Sequence, residues 1–228
     1  STPRPTFTPT PAPTATLRPR PTLIPSPTPT PVRTLLERTP EPSPPPTAVP
    51  VPTPTLTPDG KALLREIIED PEMAGMEIAK DGKEDPEKTG KALAEAAREN
   101  PEATGKAIAV AAEEDPVATG EVLAVAADED SDATGESVAV ASDNNAEAVG
   151  EALAAGADKA SQAIGEATAT AAAADPEATG ETLASAAATD PVAAGEALAS
   201  GASVNPEATG EAVATAASAN APVTGAAL

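Results

Sequence analysis

Small and apolar residues recur along most of this chain at the spacing of an α-helix. After Asn100 they are Ala103, Thr104, Ala107, Ile108, Ala111 and Ala112. Residues at this spacing share one side of a helix, whereas a strand would need strict alternation. The polar residues between them occupy the other side. The stretch therefore predicts one amphipathic helix of about 11 or 12 residues.

The same pattern returns every 15 residues, and a glycine marks each copy. Short tandem repeats indicate an architecture in which each unit packs against its neighbours. We therefore expect an all-α fold over residues 59–228, an α-solenoid of tandem repeats with one helix each. The repeat glycines are Gly60, Gly75, Gly90, Gly105, Gly120, Gly135, Gly150, Gly165, Gly180, Gly195, Gly210 and Gly225.

Most repeats begin with a residue that can cap a helix, followed by proline. Asp and Asn side chains accept hydrogen bonds from free amides at a helix start, and proline suits the first helical position. Asp130, Asn145 and Asn220 keep the cap without the proline, and Ser161 is expected to replace a missing cap. Links of about three residues are expected to fold successive helices into hairpins. The predicted caps with proline are Asp70, Asp85, Asn100, Asp115, Asp175, Asp190 and Asn205.

A single long helix is the rival architecture. Fifteen residues over four turns would wind a right-handed coiled coil. However, each interior proline costs about 3 kcal/mol in a helix, and the residue before proline disfavours helical geometry. These costs favour separate helices, and a fused helix is expected only over residues 130–175, where proline is absent.

The repeat glycine falls in the second turn of the predicted helix, where it costs about 1 kcal/mol relative to alanine. We favour an interpretation in which the missing side chain lets two helix backbones approach closely. The alternative places the glycine in a loop, with the helix beginning after it. That alternative does not explain why Asp-Pro and Asn-Pro pairs recur in the repeats.

Two further columns of like residues are predicted along the stack. The threonines before the glycines suggest a hydroxyl array such as an ice-binding face. We instead expect small residues at a helix contact, each hydroxyl bonded back to the preceding turn; they are Thr89, Thr104, Thr119, Thr134, Thr179, Thr209 and Thr224. The glutamates after the glycines are expected to form a solvated face, with cation binding as the alternative; they are Glu121, Glu136, Glu151, Glu166, Glu181, Glu196 and Glu211.

Residues 1–58 have a different composition and hold 20 of the 28 prolines. Closely spaced prolines favour extended polyproline II structure over helix or sheet. A semi-rigid linker is one interpretation, and an O-glycosylated stalk is the other, because Ser and Thr with Pro are typical of mucin-like segments. Candidate glycosylation sites are Thr8, Thr10, Thr28, Thr30, Thr53 and Thr55.

Composition narrows the range of functions. The net charge of −22 disfavours nucleic acid as a partner, because phosphates would be repelled. The chain has no His or Cys, and its only aromatic residue is Phe7. The usual general base, thiolate nucleophile and metal ligands are therefore missing, and we expect neither an enzyme nor a cofactor. No apolar run is long enough to span a membrane.

The segments "TPTPAPTAT" and "SPTPTPV" resemble the Thr/Pro-rich stalks of bacterial cell-surface and secreted proteins. The repeat "DPEATGE" is similar to helix starts in α-solenoid repeats, although those units contain two helices. The resemblance implies an extracellular or cell-surface structural protein. Self-association into a filament, stalk or layer is the expected assembly, and an acidic solenoid that binds cations or a basic protein is the alternative. A first residue Ser1 suggests a processed product or fragment, and the last copy, at Leu228, suggests continuation or capping by another subunit.

Overall fold

The computed structural model describes residues 56–228, a region that holds nine helical elements and no strand. The predicted arm up to residue 55, with its six candidate glycosylation sites, lies outside these residues. None of the described helices is both long and apolar enough to cross a membrane. The elements are α1 Pro58–Glu69, α2 Pro71–Glu84, α3 Pro86–Glu99, α4 Pro101–Glu114, α5 Pro116–Glu129, α6 Ser131–Ala174, α7 Pro176–Thr189, α8 Pro191–Val204 and α9 Pro206–Ala227.

The helices begin where capping side chains meet proline. All seven caps followed by proline lie at helix starts, and in each the side-chain oxygen accepts a hydrogen bond from a first-turn amide. Helix α1 begins at Pro58, one residue before the predicted boundary at 59. There the Thr57 hydroxyl accepts from the Gly60 amide at 3.1 Å. These bonds satisfy amides that have no partner inside the helix.

The links between helices are shorter than the spacing predicted. One non-helical residue separates consecutive helices: Asn100, for example, has φ −150° and ψ 79° between α3 and α4. The expected link of about three residues is wrong, because the capping residue itself makes the whole turn. Its backbone amide still bonds to Ala96, and its carbonyl accepts from Thr104, so both helices keep their terminal bonds. Residues that were expected in the links belong to the helices instead, and most of the helices have 14 residues.

The expectation of a fused helix over residues 130–175 is also wrong in detail. Element α6 is continuous in its hydrogen bonds but has non-helical backbone at Asn145 and Ala160. Element α9 has the same break at Asn220. These residues lie in register with the other caps, so the 15-residue unit persists without its proline. The break falls at Ala160 rather than at Ser161, which lies one residue inside the next helix.

Among the helices that contain a single repeat, those two apart in sequence pack more extensively, α2 on α4 and α3 on α5, than consecutive helices do. Contacts are best described by repeat position, where position 0 is the residue in the cap register (70, 85, 100 and so on). Position 2 meets position 10 two repeats later, as in Asp132 with Thr170, 38 residues apart. Position 6 meets position 14, as in Lys91 with Glu129. Because both pairs keep the same offset, alternate helices run in the same direction.

Alanine supplies most of the buried surface between these helices. Most repeats have a larger apolar residue at position 8, including Ile78, Leu93, Ile108 and Leu123, each at most 1% exposed. The positions around it are almost all Ala. Each alanine removes little area from water, so the fold depends on many repeated small contacts.

Candidate functional site

The repeat glycines form a continuous column of backbone contacts along the described helices. A Cβ added at any of nine of them would lie within 3.0 Å of a backbone carbonyl oxygen two repeats later. The partner is always 32 residues on: Gly75 meets Ala107, and Gly135 meets Ala167. The nine are Gly75, Gly90, Gly105, Gly120, Gly135, Gly150, Gly165, Gly180 and Gly195.

This geometry explains why a helix-disfavouring residue recurs at one position. A real Cβ essentially never approaches a heavy atom that closely, so any side chain would push the two helices apart. Gly60 differs, because its neighbour is the flexible side chain of Glu95. Gly210 and Gly225 have no heavy atom within 4 Å of the added Cβ. Among the described residues, the column of backbone contacts therefore runs from Gly75 to Gly195.

The threonines before the glycines are all buried, as expected for small residues at a helix contact. Their predicted back-bonding is wrong for six of the seven. Only the Thr89 hydroxyl donates to the preceding turn, at 2.9 Å from the Asp85 carbonyl. The other hydroxyls have no hydrogen-bond partner among the described residues; they belong to Thr104, Thr119, Thr134, Thr179, Thr209 and Thr224. These buried hydroxyls therefore contribute no hydrogen bond to the helix contact.

The predicted acidic column lies on the surface but gathers into no compact site. Glu136, Glu181, Glu196 and Glu211 are exposed, and the other three are half-buried. Glu121 faces Lys159 two repeats away at 3.6 Å. Within residues 56–228, no three Asp or Glu side chains converge in a geometry that could hold a metal ion.

The caps also join helices three apart, which the sequence analysis missed. The Lys83 ammonium lies 2.7 Å from the Asp115 carboxylate, and Arg98 pairs with Asp130 in the next equivalent position. A hydrogen bond from the Ala118 amide, and then the one from Lys83, lowers the pKa of Asp115. The available signal was the constant spacing of 32 residues between each cation and its cap. These caps therefore bind the stack together as well as starting helices.

The described surface also has an acidic groove at α1, α2 and the start of α3. It encloses about 390 Å³ and is lined by apolar side chains together with Asp59, Glu66, Glu77, Asp81, Glu84, Asp85 and one cation, Lys88. Burial, followed by repulsion from Glu77, raises the pKa of Glu66. The sequence signal lies at repeat positions 7 and 11, which are uncharged in later helices, whereas Glu77, Glu66 and Asp81 occupy three of these four positions in α1 and α2.

No protein-family model, curated protein or solved structure matches the chain. Function is therefore inferred from the repeat contacts, the groove and the composition. The repeat surfaces hold helices together, while the groove concentrates negative charge. The repeat surfaces favour a structural role, and the groove favours binding of a positively charged ligand.

Proposed function

We propose that the chain is a non-enzymatic structural protein whose helices form an α-solenoid. The observation that supports this most strongly is the glycine column, nine equivalent backbone contacts at a constant spacing of 32 residues. A repeated contact of this kind extends a scaffold without defining an individual site. The absence of His and Cys from the sequence is consistent with a role outside catalysis.

We place this scaffold at the cell surface or in the extracellular space. The support is compositional: residues 1–58 resemble Thr/Pro-rich stalks, and such segments are commonly O-glycosylated. An extended arm of this kind would hold the helical repeats away from an attachment point. Intact-mass measurement on native material tests the idea, because glycans add mass in sugar-sized steps to 22.3 kDa. The bare mass would argue against a glycosylated stalk.

The scaffold is proposed to assemble with copies of itself into a filament, stalk or layer. The support is the backbone contact itself, which recurs at nine glycines along the described helices and is of a kind that further helices can continue. Electron microscopy of the full chain at high concentration, from neutral to mildly acidic pH, tests this. Ordered assemblies are expected, and single chains under every condition would contradict the proposal.

An acidic binding module is the second candidate, favoured by the groove around Glu66. The pKa of this carboxyl is raised by burial and then by repulsion from Glu77, and a cation or basic partner would relieve the repulsion. Calorimetric titration with Ca²⁺ and with a Lys/Arg-rich peptide tests it. Binding that is lost in Glu66→Gln/Asp81→Asn would support this function, and no heat with either probe would exclude these two ligand classes.

A further inference from the structure

Helix α1 starts differently from the helices that follow it. It begins at Pro58, which is repeat position 3, whereas α2 to α5 all begin at position 1. The Thr57 hydroxyl accepts from the Gly60 amide, which is one half of a capping box. The other half is a carboxylate at the third helical residue that accepts from the amide of the capping residue. In α1 that third residue is Gly60, which has no side chain.

Glu95 of α3 supplies the missing carboxylate from another helix. One of its oxygens accepts from the Thr57 backbone amide at 2.8 Å and from the Thr57 hydroxyl at 2.9 Å. A Cβ at Gly60 would overlap the Glu95 carboxylate, so the glycine leaves room for it. The negative charge of Glu95 also suits the positive end of the α1 dipole. The capping box of α1 is therefore divided between two helices.

The contact between Thr57 and Glu95 uses the spacing of the stack for a different bond. Both residues fit the pairing of position 2 with position 10, and they lie 38 residues apart. Elsewhere at this spacing a hydroxyl donates to a carbonyl, as Ser185 does to Glu147 at 3.0 Å. Of the described residues at position 10, only Glu95 is acidic. Its bonds to Thr57 are charge-assisted and so are stronger than those between neutral groups.

The second half of α1 faces repulsion instead of an anchoring bond. Glu66 lies beside Glu77 of α2, and both line the acidic groove. Burial, followed by repulsion from Glu77, makes the charged form of Glu66 less favourable and raises its pKa. The Lys88 ammonium lies 3.6 Å from Asp59, but both side chains are exposed, so this pair contributes little. Two further carboxylates repel Glu66 in the same way, Asp81 and Glu69.

We propose that α1 is a strap that opens separately from the later helices, held closed at its start by Glu95 and loosened farther along by the repulsion between Glu66 and Glu77. The inference goes beyond the proposed scaffold, because it assigns that scaffold a moving part. Glu95 is a positioning residue in this account, since it acts through the seating of α1.

Opening of the strap would change both the groove and the apolar cluster beneath it. Helix α1 forms one wall of the groove through Leu63 and Glu66, while Ile78 lies on the α2 side. Ile67 is 0% exposed and belongs to the same buried cluster as Ile78 and Leu93. Movement of α1 would therefore widen the groove and bring apolar side chains into contact with water.

Hydrogen exchange measured by mass spectrometry on the full chain at neutral pH tests the strap. Glu95→Ala should speed exchange in α1 by about five- to thirtyfold, the usual effect of losing a helix cap. Exchange in α7, which has no contact with α1, should not change. Glu77→Gln should slow exchange in α1 by about twofold, because it removes an exposed like charge. Opposite effects confined to α1 are the expected result.

Two further variants separate the latch from a general loss of charge. Glu196→Ala removes an exposed carboxylate from α8 and should leave exchange in α1 unchanged. Glu95→Gln keeps an acceptor oxygen without the charge, so its effect should lie between those of the wild type and Glu95→Ala. Unchanged exchange in α1 of Glu95→Ala, or an equal rise in α1 and α7, would overturn the proposal. Exchange in α1 that is not slowed by Glu77→Gln would overturn the opposing repulsion.

Discussion

The glycine column predicts that Gly→Ala changes stability in opposite directions at two sites with the same local sequence. The hexapeptide NPEATG occurs at residues 100–105 and again at 205–210. A Cβ at Gly105 would lie 2.5 Å from the Ser137 carbonyl oxygen and 2.6 Å from Val140 Cβ. At Gly210 it would meet nothing within 4 Å. Gly105→Ala should therefore destabilise the protein, while Gly210→Ala should stabilise it.

The magnitudes follow from two opposing effects. Replacing a helical glycine with alanine gains about 0.5–1 kcal/mol from helix propensity. Overpacking costs about 1–3 kcal/mol, and the upper end applies at Gly105 because a backbone carbonyl and a β-branched side chain cannot move independently. We expect a net loss of about 2 kcal/mol for Gly105→Ala and a gain of about 0.5–1 kcal/mol for Gly210→Ala.

Urea and thermal unfolding followed by far-UV circular dichroism measures both changes, since the chain contains no Trp or Tyr for fluorescence. In a protein of this size, 1 kcal/mol shifts the Tm by about 2–4 °C. Hydrogen exchange on the two peptides shows whether the effect is local, as repeat proteins allow. Equal gains from both substitutions would refute the close backbone contact.

Three further predictions concern caps, hydroxyls and the groove. Asp115→Ala should cost about 1 kcal/mol of stability, while Asp115→Asn should retain most of the cap. Because the pKa of Asp115 is lowered in the folded protein, its ionic contribution to stability is present above about pH 4 and is lost as the pH falls further. Urea titrations at several pH values would show this loss. Thr119→Val should stabilise the protein by about 1 kcal/mol, because the buried Thr119 hydroxyl has no hydrogen-bond partner. Thr89→Val should destabilise it, because the Thr89 hydroxyl donates to the Asp85 carbonyl. Denaturation of both variants measures the contrast. Glu66→Gln should raise the Tm at neutral pH and lose its advantage in acid: a raised folded pKa favours the fold below the ordinary pKa, and this support disappears as pH rises through the folded value. The same Tm for Glu66→Gln and wild type across the pH range would contradict the burial of Glu66 and its repulsion from Glu77.

The helical repeat was predictable because its signals are local. The 3.6-residue spacing of small residues, the capping Asp or Asn and the following proline each act within one helix. The all-α character and the caps of the described region follow from them directly. The link length did not, because the sequence cannot show that Asn100 alone completes the turn. The break at Ala160 was misplaced by one residue for a similar reason: the 15-residue register overrides the missing cap.

The partner of each glycine was the part that local signals could not give. Gly75 meets Ala107 because α2 packs on α4, and nothing near either residue specifies a spacing of 32. The ion pairs of Lys83 and Arg98 depend on the same stacking. The unpaired hydroxyls of the threonine column were also missed, because back-bonding depends on a rotamer that packing selects.

Residues 38 apart provide the most direct test of the stacking on which the whole account depends. Asp132 and Thr170 are in hydrogen-bond contact at 3.2 Å, and the chain has no cysteine to compete for labelling. Spin labels on Asp132→Cys and Thr170→Cys can be measured by dipolar electron resonance. The stacked helices predict a separation within about two helix diameters, roughly 20 Å. A distance near 57 Å, about 1.5 Å for each of the 38 residues, would show one continuous helix and contradict the account.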